Sequence, residues 1–135
     1  MKKLAFLLTI VSTLTFLGCS KDGLSSSSKL VAGALTNYSS RTWKLKALSV
    51  NNQAQTMTPA LLLYSKTYNS DFTWSDSDGY SGTFTVPSSK EIKEITNNAQ
   101  VASLTTTYRI IGFTDTDLTV EYTYNADTFK FVFTK

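Results

Sequence analysis

Apolar and polar residues alternate with a period of two in the C-terminal part of the chain, most clearly in DLTVEYTY, residues 117–124. Such alternation predicts a β-strand that buries one face and exposes the other. A second alternating run, TFKFVFTK, covers residues 128–135, and Asn125–Asp127 lie between the two runs. Together they predict a hairpin with a largely aromatic inner face. The residues of that face are Leu118, Val120, Tyr122, Tyr124, Phe129, Phe131 and Phe133.

The same period recurs upstream, beginning at Arg41. The run RTWKLKALSV changes the parity of its apolar positions after Ala47, as a β-bulge would allow. Asp78-Gly79 is a strong hairpin signal between DFTWSDS and YSGTFTV, and LLLYSKTY, KEIKEIT and ASLTTTYRII supply further strands. About eight strands without a convincing long amphipathic helix indicate an all-β domain. An antiparallel up-and-down barrel is the simplest closure because it removes unpaired edges, and a β-sandwich is the alternative.

The N-terminal segment has a different pattern. Met1-Lys2-Lys3 is followed by an apolar stretch from Leu4 to Gly18 that only Ser and Thr interrupt. A basic start, a short apolar run and a small residue at its end are typical of a secretory signal peptide. The stretch is too short for a membrane span, which needs about 20 apolar residues. Residues 1–18 are therefore interpreted as a signal peptide that is removed.

The only cysteine of the chain, Cys19, follows this stretch directly. The segment TFLGCSKDG resembles the lipobox of bacterial lipoproteins, and this resemblance implies cleavage before Cys19 and lipidation of its thiol. It further implies the outer membrane, because Ser20 stands where many Gram-negative retention signals have Asp. SKDG also resembles the start of surface lipoproteins, so both the periplasmic face and the cell surface stay open.

The composition then suggests one domain on a tether. Residues 19–40 contain the lipidated cysteine and the serine run Ser25–Ser28, which has the composition of a flexible linker, although KLVAGALTN could form a turn or two of helix. Residues 41–135 form the predicted barrel domain. Removal of the signal peptide leaves 11 basic against 10 acidic residues, and Lys90 and Lys93 stand beside acidic neighbours on what we interpret as solvated faces. This balance does not indicate a nucleic-acid partner.

A family resemblance covers most of the predicted domain. SRTWKLKALSVNN, FTWSDSDGYSGTFTV and TYRIIGFTDTDLTVEYTYNADTFKFVFTK together resemble the small lipocalin-like lipoproteins of Bacteroidota-type bacteria. Arg41 stands where lipocalins proper have a glycine. The resemblance implies a lipocalin-like barrel that binds a small apolar or amphipathic ligand. The alternative is an accessory or protective envelope lipoprotein that docks another protein through its loops or outer face, with no small ligand.

The residue types that carry most enzyme chemistry are scarce in this chain. It has no histidine, which removes the commonest general base and zinc ligand, and lipid would occupy its one cysteine. The acidic residues lie in or beside predicted turns, and the SDSDGY segment does not satisfy the EF-hand calcium motif because Trp74 and Thr85 occupy ligand positions. We therefore expect no catalytic residues, no cofactor and no metal site.

Aromatic residues that point to the predicted interior are the remaining candidates for a function. An eight-stranded barrel is just wide enough either to be filled by side chains or to hold one small ligand. Core packing is the simpler interpretation, but buried tyrosine hydroxyls need a polar partner, which favours positions near a barrel mouth. The candidate ligand-binding residues are Trp43, Trp74, Tyr108, Tyr122 and Tyr124.

Overall fold

The computed structural model describes residues 25–97 and 103–135, so the predicted signal peptide and Cys19 lie outside the described residues. Two short helices and nine strands make up these parts of the chain. In chain order they are α1 (Ser26–Thr36), β1 (Ser40–Val50), β2 (Gln53–Ala54), α2 (Pro59–Leu63), β3 (Ser65–Asn69), β4 (Thr73–Asp76), β5 (Ser81–Ser88), β6 (Glu91–Thr96), β7 (Leu104–Phe113), β8 (Asp117–Tyr124) and β9 (Asp127–Thr134).

The strands close into an antiparallel up-and-down barrel. Each strand from β3 to β9 pairs with the next along the chain, and the long strand β1 closes the ring by pairing with both β3 and β9. Its first half, Ser40 to Lys44, contacts β3, and the segment from Lys44 to Val50 contacts β9. Eight strands thus form the barrel, and the two-residue β2 extends it beside the end of β1. The predicted barrel is confirmed over the alternative β-sandwich.

The parity change in β1 is also confirmed as a bulge. Leu45 pairs with Phe133, and Ala47 pairs with the adjacent Val132, so Lys46 is an extra residue in β1. The bulge keeps Trp43 and Leu45 in the core and lets the later half of β1 continue along β9. A bulge also increases local twist, which helps a sheet to close on itself.

Asparagine residues form the tightest turns. Asn51 and Asn52 connect β1 to β2 with φ angles of 50° and 64°, and Asn125 and Ala126 connect β8 to β9 with φ angles of 49° and 71°. Two successive residues with positive φ are typical of the type I′ hairpin turn. The predicted three-residue turn is therefore one residue too long, because Asp127 already pairs with Tyr124.

Within the expected tether over residues 19–40, Ser26–Thr36 form α1, so the helix left open for KLVAGALTN is present and is longer than a turn or two, and this part is not a flexible linker. The Ser25 side chain caps the helix by accepting a hydrogen bond from the Ser28 backbone N–H at 3.2 Å, and Asn37 ends it in the left-handed conformation. Ala32 and Leu35 are buried against the barrel. The serine run that indicates a linker by composition instead supplies an N-cap, which serine favours.

A second local difference concerns LLLYSKTY, which was predicted as a strand. Pro59–Leu63 form the short helix α2, and the strand begins only at Ser65. Thr58 caps α2, and Pro59 occupies its first turn, where a missing N–H costs no hydrogen bond. Residues 59–63 thus form a capped helix, although their apolar side chains also fit the pattern of a buried strand.

The two ends of the barrel differ. The helix-capped end contains α1, the start of β1 and the turns at residues 70–72, 89–90 and 114–116, whereas the open end contains α2 and the turns at residues 77–80 and 125–126. The core lies between them, with α1 packed mainly on β5, β3 and β1. Its buried apolar residues are Ala32, Leu35, Trp43, Leu45, Tyr68, Trp74, Phe84, Val86, Ile92, Leu118, Val120 and Phe133.

Candidate ligand site at the open end

Side chains fill the barrel interior. The cavity among Lys66, Tyr68, Tyr108, Val120 and Phe133 measures about 30 Å³. A cavity of this size has room for little more than a water molecule. Core packing is therefore the role of most inward-facing aromatic rings, and any larger ligand has to bind outside this interior.

A buried ion pair lies beneath the open end. The Lys66 ammonium donates a hydrogen bond to Glu94 Oε2 at 2.7 Å, and both side chains are almost completely buried, with exposed fractions of 6% and 2%. The Tyr68 hydroxyl donates to Glu94 Oε1, and Lys66 also donates a longer bond of 3.4 Å to the Tyr108 hydroxyl. Both carboxylate oxygens of Glu94 are thus engaged, which offsets the cost of burying its charge.

Two aromatic rings complete the environment of Lys66. Its Nζ lies 4.5 Å from the centroid of the Trp74 ring and 5.1 Å from that of Tyr108, within the range of cation–π attraction. The indole N–H of Trp74 is buried and has no hydrogen-bond partner among residues 25–97 and 103–135. We call Lys66, Tyr68, Trp74, Glu94 and Tyr108 the polar cluster.

The tyrosines of the cluster stay neutral over a wide pH range. Burial raises the pKa of Tyr68 well above its usual value, and the nearby Glu94 charge adds to this effect. Burial likewise raises the pKa of Tyr108, again with a contribution from Glu94. The pKa of Tyr64 is raised for the same main reason, although Lys66 partly opposes the shift. These hydroxyls are therefore hydrogen-bond donors at every physiological pH.

Two adjoining clefts open above the polar cluster. The first has a volume of about 270 Å³, and the second, of about 440 Å³, lies between residues 104–108 and 122–124. They share Leu104, Thr106 and Tyr108 and therefore lie side by side. The residues that line the first cleft are Tyr64, Lys66, Trp74, Asp76, Tyr80, Glu94, Thr96, Leu104, Thr106 and Tyr108.

The second cleft exists because β7 and β8 separate towards the open end. Their pairing runs from Phe113 with Leu118 to Arg109 with Glu121 and stops there. Residues 104–107 of β7 continue beside β6 alone, while β8 continues beside β9. Threonines 105, 107 and 123 on the outer face therefore line the cleft together with inward-facing tyrosines.

The rim of the open end is apolar. Five large apolar side chains are exposed there, with Leu63 at 78% and Tyr124 at 61% the most exposed. A cleft with an apolar rim and a few polar groups at its base is typical of small-molecule sites. The rim consists of Leu62, Leu63, Tyr80, Leu104 and Tyr124.

The five aromatic residues predicted as ligand-binding fall into two groups. Trp74, Tyr108, Tyr122 and Tyr124 line the clefts at the open end. Trp43 does not, because it is completely buried beneath α1, where its indole N–H donates to the Leu35 carbonyl at 3.0 Å. Its role is packing and capping of the helix.

Sequence reasoning missed the charged residues of the site, Lys66 and Glu94. The interpretation of the KEIKEIT charges as solvated is wrong for Glu94, which is buried. A signal was present in the alternation: Lys66 has the same parity as Tyr64 and Tyr68, and Glu94 the same parity as Ile92. A charge in phase with the buried face of each strand predicts an internal ion pair.

Asp76 has a structural role at the edge of this site. Its Oδ1 accepts hydrogen bonds from the backbone N–H groups of Asp78 and Tyr80, and its Oδ2 accepts one from the Tyr64 hydroxyl at 3.3 Å. The carboxylate thus holds the β4–β5 turn, in agreement with the predicted hairpin. Within the described ranges no group of three acidic, histidine or cysteine side chains is placed to hold a metal ion.

Comparisons with protein-family models, with curated proteins and with solved structures found no match for this chain. The resemblance to lipocalin-like lipoproteins therefore stays a prediction. Among the described helices, neither is long and apolar enough to cross a membrane.

Proposed function

We propose that this protein is a lipid-anchored protein of the outer membrane whose barrel binds a small amphipathic ligand at its open end. The observation that carries the ligand proposal is the adjoining pair of clefts with an apolar rim and a polar base. The anchor rests on the sequence alone, through the lipobox-like segment around Cys19. Enzymatic activity is not part of the proposal, because both oxygens of Glu94 already accept hydrogen bonds.

The chemistry of the clefts favours a ligand with an apolar ring or chain and one hydrogen-bond acceptor. Tyr122 and Tyr124 offer aromatic surface, while the Tyr108 hydroxyl and the Lys66 ammonium are donors beside the first cleft. Glu94 neutralises Lys66, and Asp76 adds a negative charge nearby, so an uncharged acceptor such as a carbonyl suits this base better than an anion.

A second function is favoured by the same exposed rim. Leu62 and Leu63 of α2 project from the open end without burial, and such exposed apolar side chains are common where proteins dock. The alternative is therefore an accessory envelope lipoprotein that binds another protein through this end.

The ligand hypothesis can be tested with the fluorescent probe 6-propionyl-2-dimethylaminonaphthalene, which is small, aromatic and uncharged and carries one carbonyl acceptor. We expect saturable binding to the folded protein and a loss of about 5- to 10-fold in affinity for Tyr124→Ala, since one aromatic contact contributes about 1 kcal/mol. Ile111→Ala is the matched control, because Ile111 is exposed elsewhere on β7. Circular dichroism checks that each variant is folded, and equal affinities for both variants would contradict the assignment.

Substitutions in the rim distinguish ligand binding from protein docking. Leu63 lines neither cleft, so Leu63→Ser should leave probe binding unchanged, but it should weaken capture of an envelope protein if docking is the function. Tyr124→Ala should then matter less for capture than Leu63→Ser. The anchor has its own test: Cys19→Ala should abolish metabolic labelling with palmitate, and labelling that persisted would exclude lipidation at this residue.

A further inference from the structure

Helix α1 begins close to the proposed lipid anchor. Six Cα–Cα steps separate Cys19 from Ser25, which caps the helix. Even a fully extended chain covers only about 20 Å in six steps. If Cys19 carries lipid, the helix-capped end of the barrel therefore lies near the membrane.

This end also exposes large apolar side chains. Leu30 is 65% exposed, Tyr38 73% and Phe72 40%. At 100° per residue, Leu30 projects from α1 opposite the stripe of Ala32 and Leu35 that packs on the barrel. Tyr38 and Phe72 line a groove of about 210 Å³ beside the same helix.

The backbone conformations at Tyr38 and Phe72 make this exposure unusual. Their φ angles are 59° and 64°, a region that bulky residues rarely occupy. Asparagine or glycine would adopt it at lower cost. Gly33 leaves room for the Tyr38 ring, because a Cβ there would lie 2.4 Å from that ring. Part of each ring packs on the protein, since Phe72 lies 5.5 Å from the core ring of Phe84 and Tyr38 lies against Gly33, and the remaining surface of both rings faces outward.

We propose that the helix-capped end docks on the lipid surface through Leu30, Tyr38 and Phe72, so that the open end faces away from the membrane. The proposal rests on the lipid anchor proposed above. Aromatic and leucine side chains with a flanking lysine are typical of groups that enter the headgroup region. Here Lys29 lies in the groove and Asp71 adjoins Phe72, so apolar contacts rather than net charge drive the docking.

The opposite orientation is harder to reach. Tilted strands of eight to ten residues raise the open end by about 20 to 26 Å above the helix-capped end. The segment after Cys19 would then have to be fully extended along the barrel wall. Docking of the helix-capped end requires no such extension, and it leaves the clefts accessible to a ligand.

The test uses the full lipidated protein in phosphatidylcholine vesicles. Because Cys19 is the only cysteine and would be acylated, one added cysteine gives a single free thiol for a bimane fluorophore. Leu30→Cys and Ser70→Cys report on the helix-capped end, and Tyr124→Cys and Leu63→Cys report on the open end. Leu30 and Tyr124 are matched controls, with exposed fractions of 65% and 61%.

We expect lipids with a shallow nitroxide to quench the labels at positions 30 and 70 severalfold more than those at 63 and 124. Stronger quenching at 63 and 124, or equal quenching at all four positions, would overturn the proposed orientation. Flotation of the vesicles separates this failure from failure of the anchor. Protein that does not float lacks the anchor, and the orientation is then overturned with it, whereas probe binding in the clefts is unaffected.

Discussion

The helix-capped end and the open end of this barrel each bury a tryptophan, with different consequences. Trp43 is fully buried, and its indole N–H is satisfied by the Leu35 carbonyl at the end of α1. Trp74 is 3% exposed, its N–H has no partner within the described parts of the chain, and its ring faces the Lys66 ammonium. The two tryptophans are thus almost equally buried, but the Trp43 N–H is hydrogen-bonded, whereas the Trp74 N–H is not within the described residues.

The contrast extends to the surrounding side chains. At the helix-capped end the Thr36 hydroxyl donates a hydrogen bond of 3.0 Å to the Ala32 carbonyl, so even a buried hydroxyl has a partner nearby in the chain. At the open end Lys66 and Glu94 are buried together. Apolar residues of similar volume would often give a protein of equal or greater stability, because they avoid the cost of desolvating two charges. The ion pair therefore adds less to stability than the satisfied packing at the helix-capped end.

The largest expected loss of stability comes from a substitution that disrupts the packing at the helix-capped end. Trp43→Ala should lower the free energy of unfolding by about 4 kcal/mol, because it leaves a cavity and removes the hydrogen bond to Leu35. Trp74→Ala should cost less, since part of this ring borders a cleft and its N–H forms no bond to lose. Urea denaturation of both variants measures the difference, and a greater loss for Trp74→Ala would contradict the contrast between the two ends.

The next effect concerns the ion pair of the open end. Lys66→Met should cost about 3 kcal/mol because it leaves the Glu94 carboxylate buried without its cation. Adding Glu94→Gln should recover more than half of this loss, since the neutral amide can still accept the hydrogen bond from Tyr68. The same denaturation experiment gives both values. If the double variant were less stable than Lys66→Met alone, the carboxylate would not be the source of the cost.

The sequence predicts the barrel well because burial on one face imposes a period of two. Leu45 and Ala47 even indicate the bulge in β1, since the apolar positions change parity beside them. The helix α1 is less predictable, because its stability comes from burial of Ala32 and Leu35 on a barrel that is itself assembled from distant strands. Helix propensity over eleven residues is too weak a signal on its own.

The candidate site is only partly predictable for a related reason. The alternation places Tyr108 and Tyr122 on the inner face, but it does not reveal that β7 and β8 separate above Arg109 and Glu121. The run of threonines before Tyr108 has the pattern of a continuous strand whether or not a neighbour pairs with it. Pairing across the barrel is a tertiary property, and the second cleft depends on it.

A smaller loss of stability is expected at one of two strand glycines, because they differ in the space available for a Cβ atom. A Cβ on Gly82, between β4 and β6, would lie 1.9 Å from the Ile95 carbonyl oxygen, whereas a Cβ on Gly112 would be 3.8 Å from its nearest neighbour. Gly82→Ala should therefore cost about 2 kcal/mol through overpacking beside Trp74. Gly112→Ala is the matched control and should change stability little. Thermal unfolding of both variants measures this, and equal midpoints would show that the β5–β6 contact relaxes freely.

The smallest expected change in stability is seen only at alkaline pH and depends on Tyr108 at the open end. Because the pKa of Tyr108 is raised in the folded protein by burial and by Glu94, its neutral form is favoured by folding. That stabilisation is complete below pH 10, the usual tyrosine pKa, and is lost as pH rises towards the folded value, at about 1.4 kcal/mol per pH unit for each such group.

Tyr108→Phe should therefore make the loss of stability between pH 10 and 11 smaller by the contribution of about one proton. Urea denaturation at a series of pH values, followed together with tyrosinate absorbance, measures this loss for the variant and for the unaltered protein. If the two losses were equal, Tyr108 would titrate alike in the folded and unfolded chains, and the polar cluster would be open to water rather than buried beneath the clefts.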